Sequence, residues 1–169
     1  MTLDELNRLD ASRFVDVLAG IFEHSPWVAE AVAAQRPFAD VPTLHAAMCR
    51  AVAQADESVR FALIRAHPQL ASKAAVRREL TDASNREQGG AGLTACSPEE
   101  FARLSELNAR YQQRFGFPFI LAVRGYDRAG VIAQMATRVE RDRDAEFAEA
   151  LRQIERIAAF RLNDLLGTD

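Results

Sequence analysis

Apolar residues recur along most of this 169-residue chain at the three- and four-residue spacing of an α-helix. The clearest example is residues 11–23, whose apolar side chains would line one face of a helix: Phe14, Val17, Leu18, Ile21 and Phe22. Segments with the two-residue alternation of a half-buried strand are scarce. The pattern therefore predicts an all-α protein.

The most complete helix signal begins at Ser97. Ser97 and Glu100 have the spacing of a capping box, in which each side chain accepts a hydrogen bond from the other residue's backbone N–H. Pro98 is compatible with the first turn, because that turn needs no N–H from it. Gly116 can adopt the left-handed conformation that ends a helix. A helix is therefore predicted over residues 98–115.

Weaker signals of the same kind predict the other helices. Polar residues that can accept hydrogen bonds from a first turn precede several apolar periodic stretches. These caps are Thr2 with Glu5, Thr43 and Asp56. The predicted ranges are a short opening helix, then 11–23, 27–34, 44–55, 57–66, 129–140 and 144–166, with a helix or turn over 70–80 that carries Lys73, Arg77 and Arg78.

One apolar stretch departs from the helical pattern. Residues 117–124 follow the predicted stop at Gly116 and read as extended chain. No repeat, linker or low-complexity run interrupts the order of the segments. We therefore expect a single domain over residues 1–169, an all-α bundle of about eight helices with one extended active-site segment.

Charge and cysteine content exclude several classes of function. The formal net charge of −3 gives no basic excess, so nucleic acid is not expected as a partner. Cys49 and Cys96 are too few for a disulfide framework. Cys49 lies among apolar neighbours in a predicted helix, where a small buried thiol is expected.

The chain shows no signal for export or for a membrane. Its first residues, Met1 to Glu5, are acidic and lack the basic start and apolar run of a signal peptide. The longest apolar run, residues 117–123, is far shorter than the roughly 20 residues that span a bilayer. We therefore expect a cytoplasmic protein that does not enter a membrane.

The first place where chemistry could occur is His67. Pro68 forces the preceding helix to end, which leaves the imidazole at the helix C-terminus. A histidine there could simply complement the negative end of the helix dipole. It could instead serve as an acid or base, and the residues alone leave both interpretations open.

The second place is the polar segment before a pair of glycines. If it forms a helical turn, Ser84, Glu87 and Gln88 share one face. Gly89 and Gly90 would then let backbone amides approach a ligand. Alternatively, Ser84 and Glu87 are only another capping box.

The third place is Arg161 in the last helix. It falls on the stripe formed by apolar side chains that should face the core: Phe147, Leu151, Ile154, Ala158 and Leu165. A charge on this face is costly unless it is paired or faces a polar cavity. The alternative is that the stem is buried while the guanidinium reaches water.

These signals are not specific when taken singly. The chain has no phosphate-binding loop and no dinucleotide fingerprint. The three histidines, His24, His45 and His67, do not have metal-ligand spacing, so no metal site is expected. The residues alone indicate a helical domain with a possible histidine, glutamate and arginine site.

In combination, the motifs resemble the 2-oxo-4-hydroxy-4-carboxy-5-ureidoimidazoline (OHCU) decarboxylase family. They occur in order along almost the whole chain, and together they form a specific set. The motifs are Phe22-Glu23-His24-Ser25-Pro26-Trp27, Arg36-Pro37-Phe38, Ile64-Arg65-Ala66-His67-Pro68-Gln69-Leu70, Ser84 with Glu87-Gln88, Gly92-Leu93, Leu107-Asn108 with Tyr111, Phe115-Gly116-Phe117-Pro118-Phe119-Ile120 with Val123-Arg124-Gly125, and Arg161-Leu162.

The resemblance implies a helical enzyme without a cofactor, usually dimeric, that decarboxylates OHCU to (S)-allantoin in urate breakdown. It assigns the proton donor to His67, and we expect Glu87 and Arg161 to complete the catalytic group by holding the imidazole or the substrate. The substrate contacts it implies are Pro68, Ser84, Asn85, Arg86, Glu87, Gln88, Phe119, Ile120, Leu121, Ala122 and Val123.

Three other functions fit the same residues, one of which keeps the family resemblance but acts on a related ureido acid. A non-catalytic helical module could bind a small ureide through the same polar cluster, and it would bind without turnover. A structural or interaction protein could instead present the apolar residues 115–120 to a partner chain.

Overall fold

Helices account for most of the chain in the computed structural model, which describes residues 1–72 and 79–167. No strand occurs in these ranges, so the all-α prediction is confirmed. The described residues form α1 (Leu3–Arg8), α2 (Ala11–Leu18), α3 (Trp27–Val32), α4 (Val41–Gln54), α5 (Glu57–Ala66), α6 (Asp82–Gly90), α7 (Pro98–Phe115), α8 (Arg128–Arg138) and α9 (Arg143–Leu166), with short 3-10 turns at Ala33–Gln35 and Leu93–Ala95.

The two predicted capping boxes are present. At α7 the Ser97 hydroxyl accepts a hydrogen bond from the Glu100 N–H at 3.1 Å, and the Glu100 carboxylate accepts one from the Ser97 N–H at 2.9 Å. Thr2 and Glu5 make the same exchange at α1. Gly116 ends α7 at φ 79°, as predicted. These local signals therefore determine the helix ends directly.

Helix α2 is shorter than predicted, because it ends at Leu18 rather than Glu23. The chain then turns through residues 19–24, a stretch that includes Gly20, the residue type with the weakest helix preference after proline. Ile21 and Phe22 are nevertheless buried, with 5% and 1% of their surfaces exposed. The apolar pattern thus predicted the burial correctly and the helix length wrongly.

Helix α4 begins earlier than predicted, and Thr43 is not its cap. The Asp40 carboxylate accepts a hydrogen bond from the Thr43 N–H at 2.7 Å, so Asp40 is the cap and the helix begins at Val41. Pro42 is tolerated because it lies in the first turn. The predicted helix or turn over residues 70–80 falls largely on residues 73–78, which lie outside the described ranges.

The chain divides into two compact units, one of Met1–Ala66 with Ile154–Asp169 and the other of His67–Gln153. The division falls between α5 and His67, and again within α9. The single domain expected over residues 1–169 stays a prediction.

In the first unit, helix α3 contacts α4 and α2. Phe14 of α2 stacks on Phe38 with 6.3 Å between ring centroids, and the Arg36 guanidinium lies 4.6 Å from the centre of the Phe14 ring. The Asn7 side chain binds both the N–H and the carbonyl of Phe38 at 2.9 Å. One amide therefore satisfies both backbone groups of a residue outside the helices.

In the second unit, an aromatic cluster forms the centre of the core. Tyr111 of α7 contacts the rings of Phe115, Phe117 and Phe119. Phe117 also contacts Phe115 and Phe147 of α9. Phe115, Phe117 and Phe119 are at most 3% exposed. The apolar residues 115–120 are therefore core residues of this unit, which contradicts their use as an exposed docking patch.

A buried ion pair stabilises the same core. Arg138 and Glu146 are 2% and 0% exposed, and their side chains contact each other at 3.0 Å. The Tyr111 hydroxyl donates to the Glu146 carboxylate. Burial, followed by this hydrogen bond, raises the pKa of Tyr111 far above its ordinary value, so the phenol stays neutral.

We expect Glu146→Ala to destabilise the protein strongly, because it leaves the Arg138 guanidinium buried without its carboxylate. The expected loss is about 3–5 kcal/mol in the free energy of unfolding, measured by urea denaturation. The control is Glu106→Ala, which removes the exposed carboxylate paired with Arg103 and should change stability little. A loss of less than about 1 kcal/mol for Glu146→Ala would contradict a buried and essential pair.

Candidate active site

His67 lies immediately after α5, which ends at Ala66 as the proline predicted. The residue is 6% exposed, so the imidazole is largely withdrawn from water. Pro68, the next predicted contact, is half-buried. The first part of the predicted site is therefore a buried histidine at the start of a non-helical segment.

Helix α6 carries the second group of predicted residues. Thr81 caps it, and its hydroxyl accepts a hydrogen bond from the Ser84 N–H at 3.3 Å. Ser84 and Glu87 therefore do not form a capping box, and Ser84 lies within the helix instead. Ser84 and Gln88 lie one turn apart on the buried face, each 3% exposed.

The remaining residues of α6 differ in exposure. Glu87 and Asn85 are half-buried, whereas Arg86 is exposed. The Asn85 side chain donates a hydrogen bond to the Leu80 carbonyl at 2.9 Å. Of the predicted residues on α6, Ser84 and Gln88 are thus the most deeply buried.

The Gln88 side chain reaches the segment that follows His67-Pro68. Its Oε1 accepts a hydrogen bond from the Ala71 N–H at 2.9 Å, and its Nε2 lies 3.5 Å from the Gln69 carbonyl oxygen. Gln88 of α6 therefore lies next to the short segment that follows His67-Pro68.

All five predicted contacts of the extended segment are buried and at most 4% exposed: Phe119, Ile120, Leu121, Ala122 and Val123. The segment is not helical, as predicted, but it does not form a strand either. Several of its backbone groups bind neighbouring parts of the unit. The Ile120 carbonyl accepts from Arg138 Nη1 at 2.8 Å, and the Ala122 N–H donates to Gln153 Oε1 at 3.0 Å.

Arg161 belongs to the first unit and is 7% exposed. Its Nη1 donates to the Glu23 carboxylate at 2.7 Å and to the Gly20 carbonyl at 3.1 Å. The guanidinium is therefore paired within the protein, and the alternative in which it reaches water is wrong.

On the predicted stripe of α9, Ile154 and Ala158 are buried, whereas the other three apolar side chains are half-buried: Phe147, Leu151 and Leu165.

Sequence reasoning did not single out several polar residues that the fold buries. Asn108 is 7% exposed and lies on the apolar stripe of α7, between Leu104 and Tyr111. Arg138 lies on the corresponding stripe of α8. The argument applied to Arg161, a polar residue on a face that packs, would have identified both. Glu23 had no such signal, since it lies in a turn.

Cys49 and His45 form the one sulfur–imidazole contact seen in the described residues. Cys49 Sγ lies 3.4 Å from His45 Nε2, and Cys49 is half-buried rather than buried. His45 Nε2 also lies 2.8 Å from the Glu155 carbonyl oxygen, which can only accept, so this nitrogen carries a hydrogen. Nε2 therefore cannot take the thiol proton, and the other ring nitrogen, Nδ1, lies farther from the sulfur at 4.0 Å.

Burial, and secondarily the Glu155 carboxylate, raises the pKa of the Cys49 thiol to about 12. A thiol with such a pKa is almost entirely protonated at neutral pH and is a poor nucleophile. Cys49 is therefore a packing residue rather than a reacting group.

The described residues show neither a metal site nor a membrane-spanning helix. They contain no group of three His, Cys, Asp or Glu side chains placed to hold a metal ion. None of their helices is both long enough and apolar enough to cross a membrane.

We expect Cys49 to react slowly with a thiol reagent in the folded protein. In a Cys96→Ser variant at pH 8, the reaction should be roughly 100-fold slower than in guanidinium, because a pKa of about 12 leaves far less thiolate than the free value of about 8.5. The greater nucleophilicity of the more basic thiolate offsets only part of that difference. The release of the chromophore from an aromatic disulfide reagent measures the rate. Modification at the same rate with and without guanidinium would show that the fold does not protect the thiol.

Comparison with known proteins gives a consistent result. A family model described as OHCU decarboxylase matches residues 7–163. The chain is 41% identical over 169 residues to 2-oxo-4-hydroxy-4-carboxy-5-ureidoimidazoline decarboxylase of Haloferax volcanii, with 100% of this chain and 98% of that protein covered.

Two further relatives are longer than this chain. This chain is 42% identical over 165 residues to the uric acid degradation bifunctional protein PucL of Bacillus subtilis. The aligned region makes up 98% of this chain but only 33% of that protein. A crystal structure of (S)-allantoin synthase superposes with a TM-score of 0.81 at 29% identity, covering 98% of this chain and 54% of the other. The family model spans nearly the whole chain, and on this ground the chain belongs to the OHCU decarboxylase family.

Proposed function

We propose that this protein decarboxylates OHCU to (S)-allantoin and CO₂ without a cofactor, as a step of urate breakdown. The match of the family model to residues 7–163 carries the proposal. The burial of His67 supports it, because a general acid works best where water does not compete for its proton, and Gln88 contacts the segment that follows the histidine.

The substrate can accept the electrons of its own decarboxylation. Its carboxylate is attached to a ring carbon that also bears a hydroxyl, and the neighbouring ring carbon, which carries the ureido group, is part of a C=N bond. When the C–C bond to the carboxylate breaks, the electron pair forms a C=C bond between the two ring carbons, and the ring nitrogen takes a proton. The reaction therefore needs no separate electron sink of the kind a cofactor supplies.

The enol-like product must then gain a proton on one face. A proton added to the carbon that carries the ureido group creates the stereocentre, and loss of the hydroxyl proton forms the ring carbonyl. A single enantiomer results only if one positioned acid delivers the proton. In this proposal His67 is that acid, and Glu87 orients the imidazole or the substrate hydroxyl.

The other predicted residues serve binding. Arg161 pairs with substrate oxygens, and its contact with Glu23 fixes the direction of its guanidinium. Ser84 and the backbone of residues 119–123 recognise the urea-like edges through complementary donors and acceptors. Pro68, Asn85, Arg86 and Gln88 complete the contacts that the family resemblance implies.

The experiment generates the unstable substrate in place from urate, with urate oxidase and hydroxyisourate hydrolase. Circular dichroism then follows the appearance of one allantoin enantiomer. We expect rapid formation with the wild-type protein and a loss of about 10²–10⁴-fold in rate with His67→Asn, because a positioned general acid is worth that much. His45→Asn is the matched control, since His45 binds the Glu155 carbonyl in the other unit.

Two outcomes would contradict the proposal. Slow formation of racemic allantoin at the same rate with and without the protein would indicate a module that binds a ureide without turning it over. Normal turnover by His67→Asn would remove the histidine from the role of acid.

The expectations of a homodimer and of a cytoplasmic location stay predictions, the first from the resemblance and the second from the sequence. Light scattering coupled to gel filtration should give about twice the chain mass of 18.7 kDa. A mass equal to that of one chain at micromolar concentration would show that the dimer is not a property of this protein.

A further inference from the structure

Two buried amide side chains bind three consecutive residues that follow His67-Pro68. Gln88 Oε1 accepts from the Ala71 N–H at 2.9 Å, and Gln88 Nε2 lies 3.5 Å from the Gln69 carbonyl oxygen. Asn108 Nδ2 donates to the Leu70 carbonyl at 2.8 Å. The amides come from two different helices, α6 and α7, so the segment is bound from two elements of the same unit.

The segment has a conformation that it would not keep without such contacts. Ala71 has a φ of 50°, in the left-handed region that residues with a Cβ rarely adopt. Backbone conformations of this kind persist where surrounding groups determine them, and they concentrate at functional sites. The hydrogen bond from Ala71 N–H to Gln88 is such a constraint.

The orientation of the Asn108 amide follows from its partner. A carbonyl oxygen can only accept, so the Asn108 NH₂ group must be the one that faces Leu70. Asn108 Oδ1 is then turned away, and it is buried with no hydrogen-bond partner among the described residues. A buried acceptor without a donor is costly, and an apolar residue of similar size would avoid that cost. The hydrogen bond to the Leu70 carbonyl therefore contributes something that side-chain packing alone would not.

We propose that Asn108 is a positioning residue for His67. Together with Gln88 it fixes the backbone of Gln69 to Ala71, and thereby the direction in which the buried imidazole of His67 points. Leu70 is only three residues from His67, and Pro68 restricts the backbone between them, so little freedom separates the contact from the histidine. The inference rests on the proposed function, because it assumes that His67 delivers a proton.

The activity experiment compares Asn108→Ala with Gln113→Ala in the urate-coupled assay. Gln113 is an exposed amide on the same helix, so its removal controls for the change in α7 itself. We expect Asn108→Ala to lower kcat by about 10- to 100-fold with a smaller change in KM, because a displacement of about 1 Å in a reacting group costs about 100-fold. Gln113→Ala should match the wild type in both constants.

A second measurement does not depend on activity. The chain has three histidines, and the imidazole C–H signals of His67 in an NMR spectrum can be assigned from their absence in His67→Asn. In Asn108→Ala we expect the His67 C–H signals to shift, whereas the signals of His24 and His45 keep their positions. A purely structural role for Asn108 would lower thermal stability without this selective change.

The outcomes separate the two hypotheses. If the wild-type protein does not turn over OHCU, the proposed function fails, and the NMR arm still decides whether Asn108 positions His67. If the wild type is active, and Asn108→Ala keeps both its kcat and its His67 signals, the positioning role is overturned. Asn108→Ser serves if the alanine variant does not fold, and failure of both variants to fold would make Asn108 a core residue and also overturn the proposal.

Discussion

The buried contact between Arg138 and Glu146 is the constraint on which the second unit depends. Residues 117–123 have no helix or strand in which to satisfy their own backbone, and they are almost completely buried. Arg138 donates to the Ile120 carbonyl, and it can be buried there only because Glu146 neutralises it. Gln153, two turns further along α9, binds an amide of the same segment. Helix side chains thus supply the hydrogen bonds that a sheet would supply elsewhere.

The same principle applies around His67, where uncharged groups bind the backbone. Gln88 and Asn108 contact a non-helical segment and hold it through neutral amide groups. In the first unit, Glu23 and a turn carbonyl bind the buried guanidinium of Arg161. In each case a polar group outside a regular ladder is bound by a side chain from a helix. Such contacts restrict rotamers, and restricted rotamers are what a positioned catalytic group requires.

This arrangement suits a reaction in which the substrate supplies its own electron sink. The protein then has to bind one ring, exclude water and deliver one proton to one face, and it needs no reactive thiol. Cys49 fits that interpretation, since burial keeps its thiol protonated. In the second unit, the buried polar groups hold backbone and side chains in place. In the proposed reaction His67 is the acid, and the position of its proton would determine which enantiomer forms.

The sequence by itself determined the features that depend on neighbouring residues. The capping box at Ser97 and the stop at Gly116 were predicted correctly because their partners lie within four positions, and the ordered motifs identified the family. A local signal of the same kind was missed at α4, where the Asp40 carboxylate accepts a hydrogen bond from the Thr43 N–H and is the cap in place of Thr43. Only the tertiary structure decided which side chains bind the backbone of residues 117–123. It also decided the partners of Arg161 and Asn108, which lie 138 and 38 positions away. A stripe of residues predicts that a face is buried, whereas the group opposite a buried polar atom depends on how distant segments pack.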